Sequence, residues 1–154
     1  MSRVEDKLKQ RGITLPKPGR PDGNYVSAVR TGHLVFLAGV GPRQPNGELV
    51  IGKVGRDLTI EQAYEAAKWC AVRSLGNLKA EIGDLDKVVR FVKVLGMVNA
   101  TPDFTQPPAV INGYSDLIVE VFGDKGKHAR SAVGLATLPN GMAVEVEAVV
   151  EVAD

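Results

Sequence analysis

The chain has 154 residues, 44% of them hydrophobic and 24% charged, with 19 basic against 18 acidic side chains. That balance describes one ordinary soluble domain and excludes a disordered or fibrous chain; without an excess of Lys and Arg, a broad nucleic-acid-binding surface is not expected either. The longest apolar stretch, 34–40, falls far short of the roughly 20 residues a membrane helix needs, and no apolar segment opens the chain, so no membrane partner is expected and the expected compartment is the cytoplasm.

Residues 1–23 read as a lead-in: a short helix over 4–11, then Pro16, Pro18 and Pro21 with Gly19 and Gly23, which break regular structure. Residues 1–20 carry a local charge of +4, which fits a solvated surface helix. Residues 24–154 read as a single domain. Tyr25 to Arg30 and His33 to Val40, joined by Thr31-Gly32, form an expected β-hairpin, with a short third strand near 48–52.

Thr59-Ile-Glu-Gln62 is a capping box that should open a long helix. Its stripe Ala63, Ala66, Ala67, Cys70, Ala71, Leu75, Leu78 and Ile82 recurs at spacings of three and four, as a helix packed on a sheet requires, and Gly83-Asp84 closes it. Cys70 lies in that stripe as a core residue. As the only cysteine it excludes an internal disulfide, and His33 and His128 stand too far apart for a zinc cluster, so no metal is expected.

Val88 to Val98 reads as a central strand alternating strictly in two faces. A second helix over 109–122 follows, with Val110, Tyr114, Leu117, Ile118 and Val121 on one side and Gly123 as its stop. Arg130 to Thr137 and Met142 to Val152 flank Leu138-Pro-Asn-Gly141, whose Asn-Gly pair predicts a hairpin. That hairpin puts Gly134 opposite Glu145 and Arg130 about 13 Å further along. The last strand has one wholly apolar face, and a second on which Glu145, Glu147 and Glu151 mix with valine and alanine. The order of elements predicts an α+β fold, a mixed β-sheet with two helices packed on one face. Its other face would combine those glutamates with some of Tyr25, Val29, Val89, Phe91, Leu95, Val133 and Leu135, a mixed surface that self-association would cover.

No Ser/His/Asp triad, zinc spacing or nucleotide loop is present, so spacing alone leaves the chemistry open. The informative constellation is His128-Ala-Arg-Ser131 followed by Leu138-Pro139 and Val144-Glu-Val-Glu147, with Arg130 and Glu145 fifteen positions apart. It resembles the C-terminal signature of the reactive intermediate deaminase family, also called YjgF-like or Rid, in a longer branch than the typical deaminase. Asn24-Tyr-Val-Ser27, Phe36-Leu-Ala-Gly39 and Ile111-Asn-Gly113 resemble further segments of the same family.

The resemblance implies a chorismate-mutase-like fold, a homotrimer whose sheets close into a barrel, and clefts between subunits. The implied activity is cofactor-free hydrolysis of reactive 2-imino and 2-enamino acids to 2-keto acids and ammonia. By the same resemblance Arg130 would hold the substrate carboxylate, Glu145 would handle the water, and Tyr25, Ala38, Gly39, Asn112 and Ala132 would line the cleft. Ala38 and Ala132 stand where the best-studied branch carries a serine and a cysteine. That keeps a second reading open, a non-catalytic trimer that binds a small carboxylate metabolite. A ribonuclease or translation inhibitor, an older label in this family, fits the near-neutral charge poorly.

The residue chemistry agrees on its own terms. A guanidinium offers a carboxylate a planar fork of donors and stays charged when partly desolvated, while a protonated imine carbon is already electrophilic and needs only a positioned water beside a base.

Overall fold

The structure is a computed structural model that describes residues 2–154. A five-stranded sheet is built from β1 (Ala28–Thr31), β2 (Leu34–Val40), β3 (Val88–Asn99), β4 (Ala129–Leu135) and β5 (Val144–Val152), in the spatial order β1-β2-β5-β3-β4. Helices α2 (Ile60–Ile82) and α3 (Pro107–Phe122) cover one face, and α1 (Arg3–Gln10) packs at their edge. This is the expected α+β fold with a mixed sheet, with α1 as a third helix joined to the core through Val4 and Leu8.

The helices begin and end where local chemistry dictates. Thr59 Oγ1 accepts from Gln62 N while Gln62 Oε1 accepts from Thr59 N, the reciprocal cap that starts α2. Gly83 and Gly123, both at positive φ, end α2 and α3. The two helices approach closely at Gly113, where a Cβ would lie 1.9 Å from the Tyr64 carbonyl oxygen. The apolar stripe of α2 is buried as its spacing predicts, Cys70 included, and that burial pushes the Cys70 thiol up, away from thiolate.

The lead-in is tied to this body. Asp86 accepts from the main-chain N–H groups of Arg3 and Val4 and from Ser2 Oγ, bonds that hold its carboxyl down at about 2. Further on, the chain passes over Gly76, where a Cβ would lie 2.3 Å from the Pro16 carbonyl oxygen.

Three expectations about the sheet fail. The strict alternation read into β3 is interrupted by register shifts between Val88 and Arg90 and between Phe91 and Lys93. Val88, Phe91 and Val94 therefore all face the helices, and Phe91 leaves the open face for the core, against Phe122. The hairpin between the last two strands does not form. β3 lies between β4 and β5, parallel to the first and antiparallel to the second. Asn140 and Gly141 do adopt the left-handed turn their sequence signals, but the turn carries the chain across the end of β3, where Ala143 bonds to Val50 and Asn99. The segment near 48–52 makes only isolated bridges, Arg43 with Leu49 and Ile51 with Met142.

The face away from the helices exposes Val29, Phe36 and Val133 beside the partly exposed Glu145 and the exposed Glu147. No helix of the described residues is long and apolar enough to cross a membrane.

Candidate active site

Strand order divides the site residues read from the sequence into two groups. Arg130 pairs with Val94 and Ala132 with Gly96, positions of β3 that face the helices, whereas Glu145 pairs with Met97 on the open face. Arg130 and Glu145 thus lie two strands apart, about 9–10 Å, are offset by three residues along β3, and project from opposite faces. The register expected from a hairpin does not form, because β3 occupies the place between them.

Around Arg130 the neighbours come from α3. Its Nη1 donates to Asn112 Oδ1 at 2.9 Å and to Ser115 Oγ at 3.1 Å, and Nη2 reaches the Pro108 carbonyl at 3.5 Å. Asn112 and Ser115 sit three residues apart on one side of the helix, so both can grip one guanidinium. No carboxylate of the described residues pairs with it, which leaves part of its donor fork uncommitted.

Ser115 Oγ also lies 2.9 Å from His128 Nε2, and His128 Nδ1 lies 2.6 Å from the Gly126 carbonyl. A carbonyl can only accept, so Nδ1 carries the proton and Nε2 accepts from the Ser115 hydroxyl, which in turn accepts from Arg130. Burial and the nearby Arg130 charge hold His128 below the usual imidazole range, against the pull of the Gly126 bond. His128 is a half-buried member of this chain. Ser115 was missed in the sequence; its signal was a polar position one turn from Asn112 on the same side of the helix.

Glu145 belongs to a cavity of about 410 Å³ whose walls include Tyr25, Ser27, Ala38 and Gly39. A bulge between Leu37 and Val40 shapes this corner. The Glu145 side chain lies over Gly39, so closely that a Cβ there would come within 2.7 Å of Oε1. Burial, and to a lesser degree the Glu147 charge, push the Glu145 carboxyl above the usual carboxylate range. Four of the expected residues, Tyr25, Ala38, Gly39 and Glu145, share this cavity, while Arg130, Asn112 and Ala132 lie outside it. Ser27 places a hydroxyl-bearing residue next to Ala38, whose N–H donates to the Ser27 carbonyl.

These elements define an α+β sheet domain with one face covered by helices and one open, the Arg130 cluster and the Glu145 cavity lying on opposite sides of the sheet. The chain belongs to the YjgF/Rid family: residues 5–150 match the family described as "YjgF/chorismate_mutase-like, putative endoribonuclease". It is 45% identical to Protein TCP17 of Trypanosoma cruzi, covering 97% of this chain and 94% of that one. It is 32% identical to the 2-iminobutanoate/2-iminopropanoate deaminase of Dermatophagoides farinae, covering 92% and 95%. The crystal structure of Atu1372 from Agrobacterium tumefaciens is similar at a TM-score of 0.89 and 42% identity, over 97% of this chain and 91% of that one.

Proposed function

We propose that this protein hydrolyses reactive 2-imino and 2-enamino acids to 2-keto acids and ammonia, at clefts between copies of the chain in a homotrimer. The observation that carries the reading is Arg130, whose guanidinium is fixed by Asn112 and Ser115 yet has no carboxylate partner. A donor fork held rigid with part of its capacity free suits a substrate carboxylate, and holding it there orients the adjacent C=N bond. Tyr25, Ala38 and Gly39 line the Glu145 side of the cleft, and Asn112 and Ala132 the Arg130 side.

In the reaction, water adds to the protonated imine carbon and Glu145 accepts the proton that the water loses. The resulting carbinolamine collapses to the keto acid as Glu145 returns that proton to the departing nitrogen and then takes the proton of the carbinol hydroxyl; ammonia leaves, and the last proton passes to it to give ammonium. A carboxyl raised above its usual range by burial is a stronger base than an exposed glutamate and a competent acid in the second step. No covalent intermediate and no cofactor is required. The name of the Dermatophagoides farinae relative supports this reading. We take residues 24–154 as the domain that carries the activity, 1–23 as its lead-in, and the cytoplasm, where imines arise from pyridoxal-phosphate enzymes, as its compartment.

A second reading rests on Ala38 and Ala132, which bring no polar group to either half of the site: a trimer that binds a small carboxylate metabolite without turning it over. One experiment separates the two. An amino-acid dehydratase generates 2-iminobutanoate, and its decay is followed with and without this protein. Accelerated decay supports the deaminase; unchanged decay across several imines, with a carboxylate that binds and protects the fold, supports the regulator.

A further inference from the structure

The Glu145 cavity continues beyond the residues used above. Its far wall is formed by Arg73 and Asn77, one turn apart on α2, with Arg43 from the segment after β2. Asn77 is only 8% exposed, lines the cavity, and its side chain makes no hydrogen bond among the described residues. Its amide is not sealed off from solvent, so it is free to bond what enters the cavity in place of water.

Arg73 is the second, independent sign. It is half-buried, with Nη2 3.6 Å from where a Cβ on Gly19 of the lead-in would stand. Burial and the neighbouring Arg43 both work against its charge, and Asp22, the carboxylate that favours it, lies beyond ion-pair distance. Arg43 spends Nη1 on the Gly47 carbonyl and likewise has no acidic partner among the described residues. Arg43 is exposed and Arg73 half-buried, and both line this end of the cavity with no acidic partner in ion-pair range, so an entering anion meets two uncommitted guanidiniums.

We infer that this end of the cavity receives a second carboxylate of the substrate, so that the preferred substrates are 2-imino dicarboxylic acids. The inference rests on the proposed deaminase reading for the reacting end, and adds to it the substrate class. Charge favours a carboxylate over a phosphate: the cavity walls carry Arg20, Arg43 and Arg73 against Asp22 and Glu145, one positive charge in excess, which a carboxylate neutralises and a phosphate dianion overshoots. The cavity, about 410 Å³, has room for the distal carboxylate of a substrate whose other end is held by Arg130 outside it. Arg73 and Asn77 together offer a planar fork and an amide N–H to its two oxygens.

The test is calorimetric titration of the purified protein with 2-oxoglutarate, 2-oxobutanoate and inorganic phosphate, repeated on Arg73→Gln and Asn77→Ala, with thermal unfolding of each variant. The expected result is at least tenfold tighter binding of 2-oxoglutarate than of 2-oxobutanoate. Arg73→Gln should collapse that ratio towards one, and Asn77→Ala should lower it severalfold. Equal affinity for the two oxo acids in the parent protein, a ratio unchanged by Arg73→Gln, tightest binding of phosphate, or no binding of any of the three at millimolar concentration would each overturn the inference. If Arg73→Gln does not fold, Asn77→Ala and Arg43→Gln decide by the same ratio. Failure of the deaminase reading looks different: every imine decays at its spontaneous rate while the diacid preference persists. Failure of the present inference alone leaves imine hydrolysis intact, with no preference for imines derived from acidic amino acids.

Discussion

Replacing Gly39 by alanine tests the Glu145 half of the site with the smallest change available. The added Cβ would stand 2.7 Å from Glu145 Oε1, 3.1 Å from Cδ and 3.2 Å from Cγ. That is about 0.7 Å short of ordinary contact at the nearest atom, so the carboxyl must shift by roughly that much. Gly39 is not among the glycines at positive φ, so its backbone accepts alanine. The atoms in the way belong to the end of a side chain that can turn. The cost to stability is then that of a displaced rotamer, about 0.5–1.5 kcal/mol, a fall in melting temperature of a few degrees. Catalysis is less forgiving, because a misplacement approaching 1 Å can cost about a hundredfold in rate. Gly39→Ala should therefore lose about tenfold to a hundredfold in kcat on 2-iminobutanoate while remaining folded. Gly113→Ala is the contrasting control: its Cβ meets the Tyr64 carbonyl at 1.9 Å, which is backbone that cannot turn away, so that variant should lose the fold itself. Parent-like turnover in folded Gly39→Ala would refute the role given to Glu145.

Three further expectations follow from the same geometry. Arg130→Lys keeps the charge but loses the fork and one or both α3 contacts, and should lower kcat/KM by about tenfold to several-hundredfold with near-native melting, as followed by imine decay and thermal unfolding. Glu145→Gln should reduce turnover more than Glu147→Gln does. It should also melt higher than the parent at pH 7 but not near pH 4: a carboxyl raised in the folded state favours folding when protonated, and that contribution is lost as pH rises through its folded value. Val133→Asp, on the exposed apolar face, tests the proposed trimer: where the parent scatters light as a trimer, the variant should scatter as monomer or aggregate, since burying an unpaired carboxylate in an interface is costly.

What the sequence disclosed follows the range of the interactions involved. The capping box of α2, its buried stripe and the glycine stops of α2 and α3 are local, and each stands where its spacing predicts. The Asn140-Gly141 turn is also local and forms, but a turn signal does not say which strand the chain pairs with afterwards. β4 joins the edge of β3 in parallel, a contact no nearby residue announces. The burial of Phe91 depends on bulges in β3, which the alternation of apolar residues conceals. In the site, Arg130 and Asn112 were visible through family resemblance and come together. Ser115, Arg73 and Asn77 were not, because a polar residue on an amphipathic helix reads as solvated until the elements around it are in place.

The separation of Arg130 from Glu145 by two strands and by the thickness of the sheet leads to a last prediction, about which chains make one site. If a single chain held both catalytic groups, two inactive variants could never help each other. If each cleft takes Arg130 from one copy and Glu145 from the next around a ring, a mixture can. Arg130→Lys subunits carry an intact Glu145, and Glu145→Gln subunits an intact Arg130. In an equimolar mixture, unfolded and refolded together so that subunits assemble at random, about a quarter of the clefts receive both native groups. Deaminase activity should rise from near the background of either variant towards about a quarter of the parent rate, and should not rise when the two are mixed without exchange. No recovery in mixtures shown by native mass spectrometry to contain mixed trimers would mean that the two residues do not meet across a subunit boundary. The opposed faces of β4 and β5 would then have to be bridged within one chain, which the register through β3 forbids, so the pairing of Arg130 with Glu145 in one reaction would fall with it.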